Sequence, residues 1–270
     1  MRTKKKLVFQ TEGIYNIFFN KLFIIYLKFR NYIILLFIIL LLFNLYKFKM
    51  YTRWLDFLNS KKIVLGSQSE FRKECLQDLN LKFDVIISGF AEDIEKTNIS
   101  PNDYVNKTAY GKFDTFMKKY QKCDCDIVIC SDTIVDFNGQ IIEKPNNPEE
   151  LAKFLKLFSN NCVNVLTCII VAILEKDKDG NNIVKQFKQD ISSSKVYFQE
   201  LNDDVIQDYI KFETKAYEAS GGFACSGKAK TLITKVDGCF YASDGFPVQL
   251  FIQILLDLVV KEYGPNAWKK

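Results

Sequence analysis

Two oppositely charged side chains flank a short predicted hairpin in the middle of this 270-residue chain. Asp132 follows the apolar run at residues 127–130, and such a run is typical of a buried strand. Asn138-Gly139 then predicts a tight two-residue turn, because both positions tolerate positive φ angles. The return strand ends in Glu143-Lys144-Pro145. The hairpin therefore brings a carboxylate and an ammonium group to comparable positions, where they can bind a ligand or transfer protons.

A second lysine falls on the side of a predicted helix that should face the core. Ser100 and Pro101 begin this helix as N-cap and first helical residue. Its inward positions recur with spacings of four, three and four residues, and they are Val105, Ala109, Lys112 and Phe116. Two interpretations stay open at this point. Either the Lys112 stem reaches past the core to water, or its ammonium group points at a ligand.

A turn of small residues joins a predicted strand at Ile63–Leu65 to a helix that begins near Glu70. The N–H groups of such a turn, together with the positive end of the helix dipole, can bind an anion. Ser67 and Ser69 would add hydroxyl donors, and Arg72 would add a guanidinium group. Ser69 acting as an ordinary N-cap explains the same residues, so a phosphate-binding turn and a plain helix start remain alternatives.

The composition removes several kinds of chemistry. The chain contains no histidine, which excludes Ser-His-Asp and Cys-His catalysis and every histidine-ligated metal site. Acid–base catalysis must then use carboxylates, lysine, tyrosine or cysteine. The eight cysteines show no CxxC pair and no zinc spacing. Cys130 and Cys168 lie in apolar runs, so we expect buried, reduced thiols and a reducing compartment such as the cytoplasm.

The first 62 residues differ from the rest in charge. They hold twelve of the 37 Lys and Arg residues and two of the 32 acids, a net charge of +10, which leaves −5 for the remainder. The main domain therefore offers little electrostatic support for binding a nucleic acid polymer.

Residues 1–50 combine a basic start with an apolar block. This pattern predicts a leader, either a signal anchor or an organelle-targeting segment, with membrane contact through residues 22–48. An upstream extension that the working protein lacks, with synthesis beginning at Met50, is the alternative.

The rest of the chain, from residue 60 to 266, predicts an α/β domain. Predicted strands lie at residues 63–65, 83–88, 127–135, 163–174 and 231–236, with two further strand-like runs that end near Phe198. Capping patterns begin helices at Asn147 and Asn202, and a largely apolar helix covers about 247–263. Strands and helices in this order indicate a mixed sheet with flanking helices. The acids at 92–95 fall in a loop, where a solvated surface is the plain interpretation.

Short motifs in this domain, in order over some 200 residues, resemble the Maf family of nucleoside triphosphate pyrophosphatases. They are S-x-S-x-x-R-x-E at Ser67–Glu74, A-x-x-K at Ala109–Lys112, S-D-T-x-V at Ser131–Val135, E-K-P at Glu143–Pro145, and the glycine motifs Gly221–Gly227 and Gly245–Pro247. The resemblance implies hydrolysis of a nucleoside triphosphate to the monophosphate and pyrophosphate. It also implies a divalent metal, Mg²⁺ or Mn²⁺, a homodimer, and two α/β lobes around a central cleft. The E-K-P form is similar to members that act on dTTP and UTP.

The resemblance also implies a role for each site residue by position. The implied catalytic residues are Asp132, Lys112 and Lys144. The implied metal ligands are Asp132 and Glu92. The implied substrate-binding residues are Ser67, Arg72, Thr133 and Ser226.

Three positions depart from the family pattern. Phe71 stands where the first of two arginines is usual, Glu70 replaces a proline, and Ser226 replaces a glutamine used to recognise the base. The loss of one guanidinium group should weaken triphosphate binding. A non-catalytic, nucleotide-binding regulatory protein on the same fold is therefore the alternative function. A membrane-anchored scaffold is a third interpretation, and it rests on the leader alone.

Overall fold

The computed structural model describes Tyr32, residues 54–265 and Ala267. Its strands are β1 (Ile63–Leu65), β2 (Asp84–Val85), β3 (Ile127–Phe137), β4 (Gln140–Ile142), β5 (Cys162–Lys176), β6 (Asn182–Phe198) and β7 (Ile233–Asp237). They form one seven-stranded sheet in the order β2-β1-β3-β5-β6-β7, and β4 pairs with β3. β1 runs parallel to β2 and β3, whereas the other pairs are antiparallel. The predicted α/β fold with a mixed sheet is confirmed.

The α-helices are α1 (Glu70–Asp78), α2 (Pro101–Lys119), α3 (Pro148–Phe158), α4 (Asp203–Phe212), α5 (Phe240–Ser243) and α6 (Val248–Tyr263). Short 3₁₀ helices cover Thr214–Glu218, Ser220–Gly222 and Lys228–Thr231. Three predicted caps are confirmed, because the side chains of Ser100, Asn147 and Asn202 each accept a hydrogen bond from a first-turn N–H group. Ser69 occupies the N-cap position of α1, but its side chain makes no capping hydrogen bond.

The predicted hairpin is also confirmed, and β3 places its acid at the centre of the sheet. Asn138 and Gly139 have φ angles of 52° and 88°, as the tight turn requires. β3 lies between β1 and β5, and Asp132 pairs with Cys168 across the β3–β5 ladder. A central strand with neighbours on both sides gives the Asp132 carboxylate a rigid support.

Two hydrophobic cores use this one sheet. The first core includes Tyr104 and Phe113 of α2 together with Ile170 of β5. The second contains α3 and the loop that carries Phe223, among other elements. On β5 the two cores take residues of opposite parity, and successive side chains of a strand point to opposite faces.

Three strands of the structure, β2, β6 and β7, differ from their predictions. β2 has two residues instead of the predicted 83–88, because the chain leaves the sheet after Val85 and Gly89 turns it at a φ of 74°. The two predicted runs that end near Phe198 form one strand, β6. Thr231 belongs to a 3₁₀ helix, so β7 begins at Ile233.

The cysteine prediction agrees with the structure, whereas the leader lies almost wholly outside it. All eight cysteines are free, and Cys130 and Cys168 are fully buried. Burial raises the pKa of both thiols to about 12. Within the described residues no helix is long and apolar enough to cross a membrane. The predicted leader at 1–50 and its membrane contact at 22–48 lie outside the described residues, apart from Tyr32.

Candidate active site

A cavity of about 220 Å³ lies beside β3, with Lys112 of α2 and Phe223 of the second core among its walls. Its charged lining residues are Arg72, Lys112, Lys144, Glu92, Asp132, Glu143, Glu218 and Asp244. A second cavity, of about 250 Å³, shares five lining residues with the first and adds the turn at Gly66–Gln68. Most of the residues predicted from the sequence therefore line one continuous region. Ser67 lines only the second cavity, and Ser226 lines neither.

Lys112 is the centre of the charged cluster. Its Nζ lies 2.6 Å from Oδ1 of Asp132 and 2.9 Å from Oε1 of Glu92. The Lys112 and Asp132 side chains are 12% and 7% exposed, whereas Glu92 is 46% exposed. Of the two interpretations of Lys112, the structure favours the second, because its ammonium group ends in a cavity between two carboxylates.

The two carboxylates have opposite pKa shifts. Burial raises the pKa of Asp132, and this effect outweighs the attraction of Lys112 and Arg72. Burial also acts to raise the pKa of Glu92, but the charge of Lys112 and its hydrogen bond lower it below the ordinary value. Asp132 is therefore the better proton acceptor of the two, because an ionised carboxylate with a higher pKa is more basic.

Lys144 reaches the same cavities from the end of the β3–β4 hairpin. Burial lowers its pKa, and the neighbouring charge of Arg72 lowers it further. It forms no ion pair within the part of the chain that the structure describes. Its ammonium group is thus available to an anionic ligand.

Arg72 ties three segments of the site together. Its Nη1 donates to Oγ of Ser67 at 3.0 Å, and its Nη2 donates to Oγ1 of Thr133 at 2.9 Å. Its Nε donates to the carbonyl oxygen of Gly245 at 2.9 Å. The guanidinium group is buried, and burial lowers its pKa although the charge of Asp132 opposes this shift. Arg72 therefore positions the turn after β1, strand β3 and the loop before α6, besides lining the cavity.

The structure places Ser226 apart from the other predicted substrate-binding residues. It lines a third cavity of about 170 Å³, which shares the lining residues Phe71 and Ala224 with the main one. Its N–H group donates to Oδ2 of Asp244 at 3.1 Å. Phe71, which stands where an arginine is usual in the family pattern, lines both of these cavities, and Lys215 Nζ is 5.8 Å from its ring centroid.

Three acids that line the cavity were not predicted as site residues from the sequence, and they are Glu143, Glu218 and Asp244. Glu143 accepts a hydrogen bond from the Tyr104 hydroxyl at 2.8 Å and pairs with Lys96. Asp244 accepts hydrogen bonds from the N–H groups of Cys225 and Ser226. Glu143 belongs to the E-K-P motif and Asp244 directly precedes Gly245 of the last glycine motif, and these positions were the available signal.

The carboxylates of the site could hold a divalent cation only if the substrate supplied further oxygen ligands. Within the described residues no three His, Cys, Asp or Glu side chains are grouped to hold a metal ion. Asp132 and Glu92 both contact Lys112 Nζ, so the two carboxylates lie close together and already share one cationic group. Mg²⁺ is commonly held by one or two carboxylates and the phosphates of a substrate, and these two residues meet that description.

Several known enzymes are similar to this chain over most of its length. The dTTP/UTP pyrophosphatase of Clostridium tetani is 32% identical over 203 residues, which cover 75% of this chain and 98% of the relative. The protein of the same name from Fusobacterium nucleatum is 29% identical over 193 residues, 72% of this chain and 93% of the relative. The protein of that name from Clostridium botulinum is 30% identical over 200 residues, which cover 74% of this chain and 98% of the relative. The profile of the Maf-like protein family matches residues 62–258, and the chain belongs to that family.

Proposed function

We propose that this chain hydrolyses nucleoside triphosphates, with dTTP and UTP as preferred substrates, to the monophosphate and pyrophosphate. One observation carries the proposal. Lys112 bridges Asp132 and Glu92 inside a cavity that Arg72 and Lys144 also line. The names of the relatives support the choice of dTTP and UTP.

The cations of the site suit the charge of a triphosphate. Phosphoryl transfer needs positioning and charge neutralisation more than covalent catalysis, so it does not need the histidine that this chain lacks. In our proposal Lys112 and Lys144 offset the negative charge that develops on the phosphate oxygens, and the remaining N–H groups of Arg72 contribute to the same field.

Asp132 is the proposed general base. Its raised pKa and its place on a central strand suit a carboxylate that takes a proton from the water attacking the α-phosphorus. Asp132 and Glu92 would hold the Mg²⁺ or Mn²⁺ ion, which when bound supplies further charge neutralisation at the phosphate oxygens. A homodimer and a cytoplasmic location, with a membrane-anchored or organelle-targeted form as the alternative, stay predictions.

The proposal is tested with the full-length chain, Mg²⁺ or Mn²⁺, and a panel of pyrimidine and purine triphosphates. We expect pyrophosphate release, with kcat/KM for dTTP and UTP above that for the purines. Nucleotides that raise the Tm without any turnover would favour the alternative, a non-catalytic regulatory protein. Phe71 and Ser226, the departures from the family pattern, are the observation behind that alternative.

The pH dependence of kcat/KM is expected to be bell-shaped, with its alkaline limb set by Lys144. Activity should rise as Asp132 ionises, at a pH above the ordinary aspartate pKa of 3.8. It should fall as Lys144 loses its proton, at a pH below the ordinary lysine pKa of 10.5. Lys144→Arg keeps the charge at high pH, so its alkaline limb should move up while the acidic limb stays in place. An alkaline limb that is the same in both proteins would contradict this assignment.

A further inference from the structure

A close packing contact joins the loop between β2 and α2 to the middle of α2. Gly111 directly precedes Lys112, and the ring of Phe90 lies against it. A Cβ atom at position 111 would lie less than 3.0 Å from three carbon atoms of this ring. Only glycine therefore leaves room for the ring at this distance.

The same loop carries Glu92 to Lys112. Glu92 lies two residues after Phe90, and its Oε1 is 2.9 Å from Lys112 Nζ. Ser88 and Gly89 set the direction of the chain before it. The buried Ser88 side chain accepts a hydrogen bond from the Phe90 N–H group at 3.3 Å, and Gly89 has a φ of 74°. Two successive helix positions thus receive a ring and a carboxylate from the same short segment.

We propose that the contact between Phe90 and Gly111 holds Glu92 against Lys112. Phe90 and Gly111 are then positioning residues for the reaction, and this inference rests on the proposed function. The Glu92 side chain is 46% exposed, and an ion pair with so exposed a partner does little to fix a loop. A ring packed on a helix backbone gains dispersion contacts that define one position of the loop. Ile94 and Ile99 pack against the first core and anchor the far half of the loop. Ile86 and a hydrogen bond from the Tyr120 hydroxyl to the Ile87 carbonyl oxygen hold its start, and Phe90 is the residue of this segment that packs directly beside Lys112.

Helix propensity makes the opposite prediction for position 111, and this makes the inference testable. Glycine in a helix interior is less favourable than alanine, so a glycine without a packing role should be improved by Gly111→Ala. In our account the added methyl group displaces the Phe90 ring, and Glu92 moves with the loop.

The experiment measures activity and hydrogen exchange in the full-length Gly111→Ala protein. We expect kcat/KM to fall by about tenfold or more, because small displacements of catalytic groups are costly. We also expect the amide of residue 90, whose N–H group donates to the Ser88 Oγ, to exchange about tenfold faster than in the wild type. Thr115→Ala on the same helix is the matched control. It raises helix propensity without adding an atom beside Phe90, so it should keep both wild-type values.

A double-mutant cycle separates this contact from general damage to α2. Phe90→Ala should lower activity and speed exchange of the loop, and adding Gly111→Ala should have little further effect, since the ring is already gone. The inference is overturned if Gly111→Ala keeps wild-type activity and exchange, or if the two effects multiply. If Gly111→Ala does not fold, wild-type values in Phe90→Ala overturn it. Hydrogen exchange needs no turnover, so this result stands apart from failure of the proposed function.

Discussion

Asp132→Asn is expected to lower kcat for dTTP by about 10²- to 10⁴-fold, the range that a positioned general base contributes. Asparagine keeps the size of the side chain but cannot accept a proton from water. Lys112 retains Glu92 as a partner at 2.9 Å, so the ammonium group is not left without a carboxylate. We therefore expect the loss to appear in kcat, with only a small change in KM.

The same substitution should leave the Tm unchanged or raise it. Burial raises the folded-state pKa of Asp132, so the fold favours the protonated form. This preference stabilises the fold at a pH below the pKa that Asp132 has in the unfolded chain. The stabilisation is lost as the pH rises through the pKa that Asp132 has in the folded protein. Asparagine does not ionise, so the Tm of Asp132→Asn minus the Tm of the wild type should increase as the pH rises above the ordinary aspartate pKa of 3.8.

Asp136→Asn is the matched control on the same strand. Asp136 does not line the cavity, and its Oδ1 accepts a hydrogen bond from the Gly139 N–H group, which an asparagine oxygen can also accept. This variant should keep wild-type kcat. Equal losses in Asp136→Asn and Asp132→Asn would mean that damage to β3, and not removal of a base, causes the effect.

Arg72→Lys is expected to destabilise the fold by about 3 kcal/mol and to reduce kcat/KM by at least about 100-fold. A lysine keeps the charge but cannot donate in three fixed directions to Ser67, Thr133 and Gly245. The Gly245 carbonyl oxygen would lose its guanidinium donor in a buried place. Urea unfolding measures the first effect and steady-state kinetics the second.

Lys73→Met, at the next position, is the control for this prediction. Among the residues that the structure describes, Lys73 forms an ion pair with Glu70 alone, at 2.6 Å, and the loss of such a surface pair should cost less than about 1 kcal/mol. The account of Arg72 is wrong if Arg72→Lys unfolds at the same urea concentration as the wild type, because the three hydrogen bonds would then contribute nothing.

The sequence predicted the elements of the site well because their signals are local. Asn138-Gly139 demands a tight turn, and Ser100 with Pro101 begins α2, so the positions of Asp132 and Lys112 on a strand and a helix follow from short patterns. The four-three-four spacing placed Lys112 on the buried face of α2, where the structure has it.

Contacts between distant segments could not be predicted in this way. Arg72 contacts Gly245, 173 positions along the chain, and no periodicity relates the two residues. Glu92 was plausible as a solvated loop acid, because its contact with Lys112 depends on how the loop leaves β2. The contact of Phe71 with Lys215 and the cavity beside it likewise join segments that are distant along the chain.

The most direct test of the central claim is product analysis by ³¹P NMR with dTTP, Mg²⁺ and water enriched in ¹⁸O. For the full-length wild type we predict dTMP and pyrophosphate, with the ¹⁸O label in dTMP because water attacks the α-phosphorus. Asp132→Asn under the same conditions should give neither product at a comparable rate. Release of orthophosphate with dTDP, or equal pyrophosphate release by both proteins, would contradict the account.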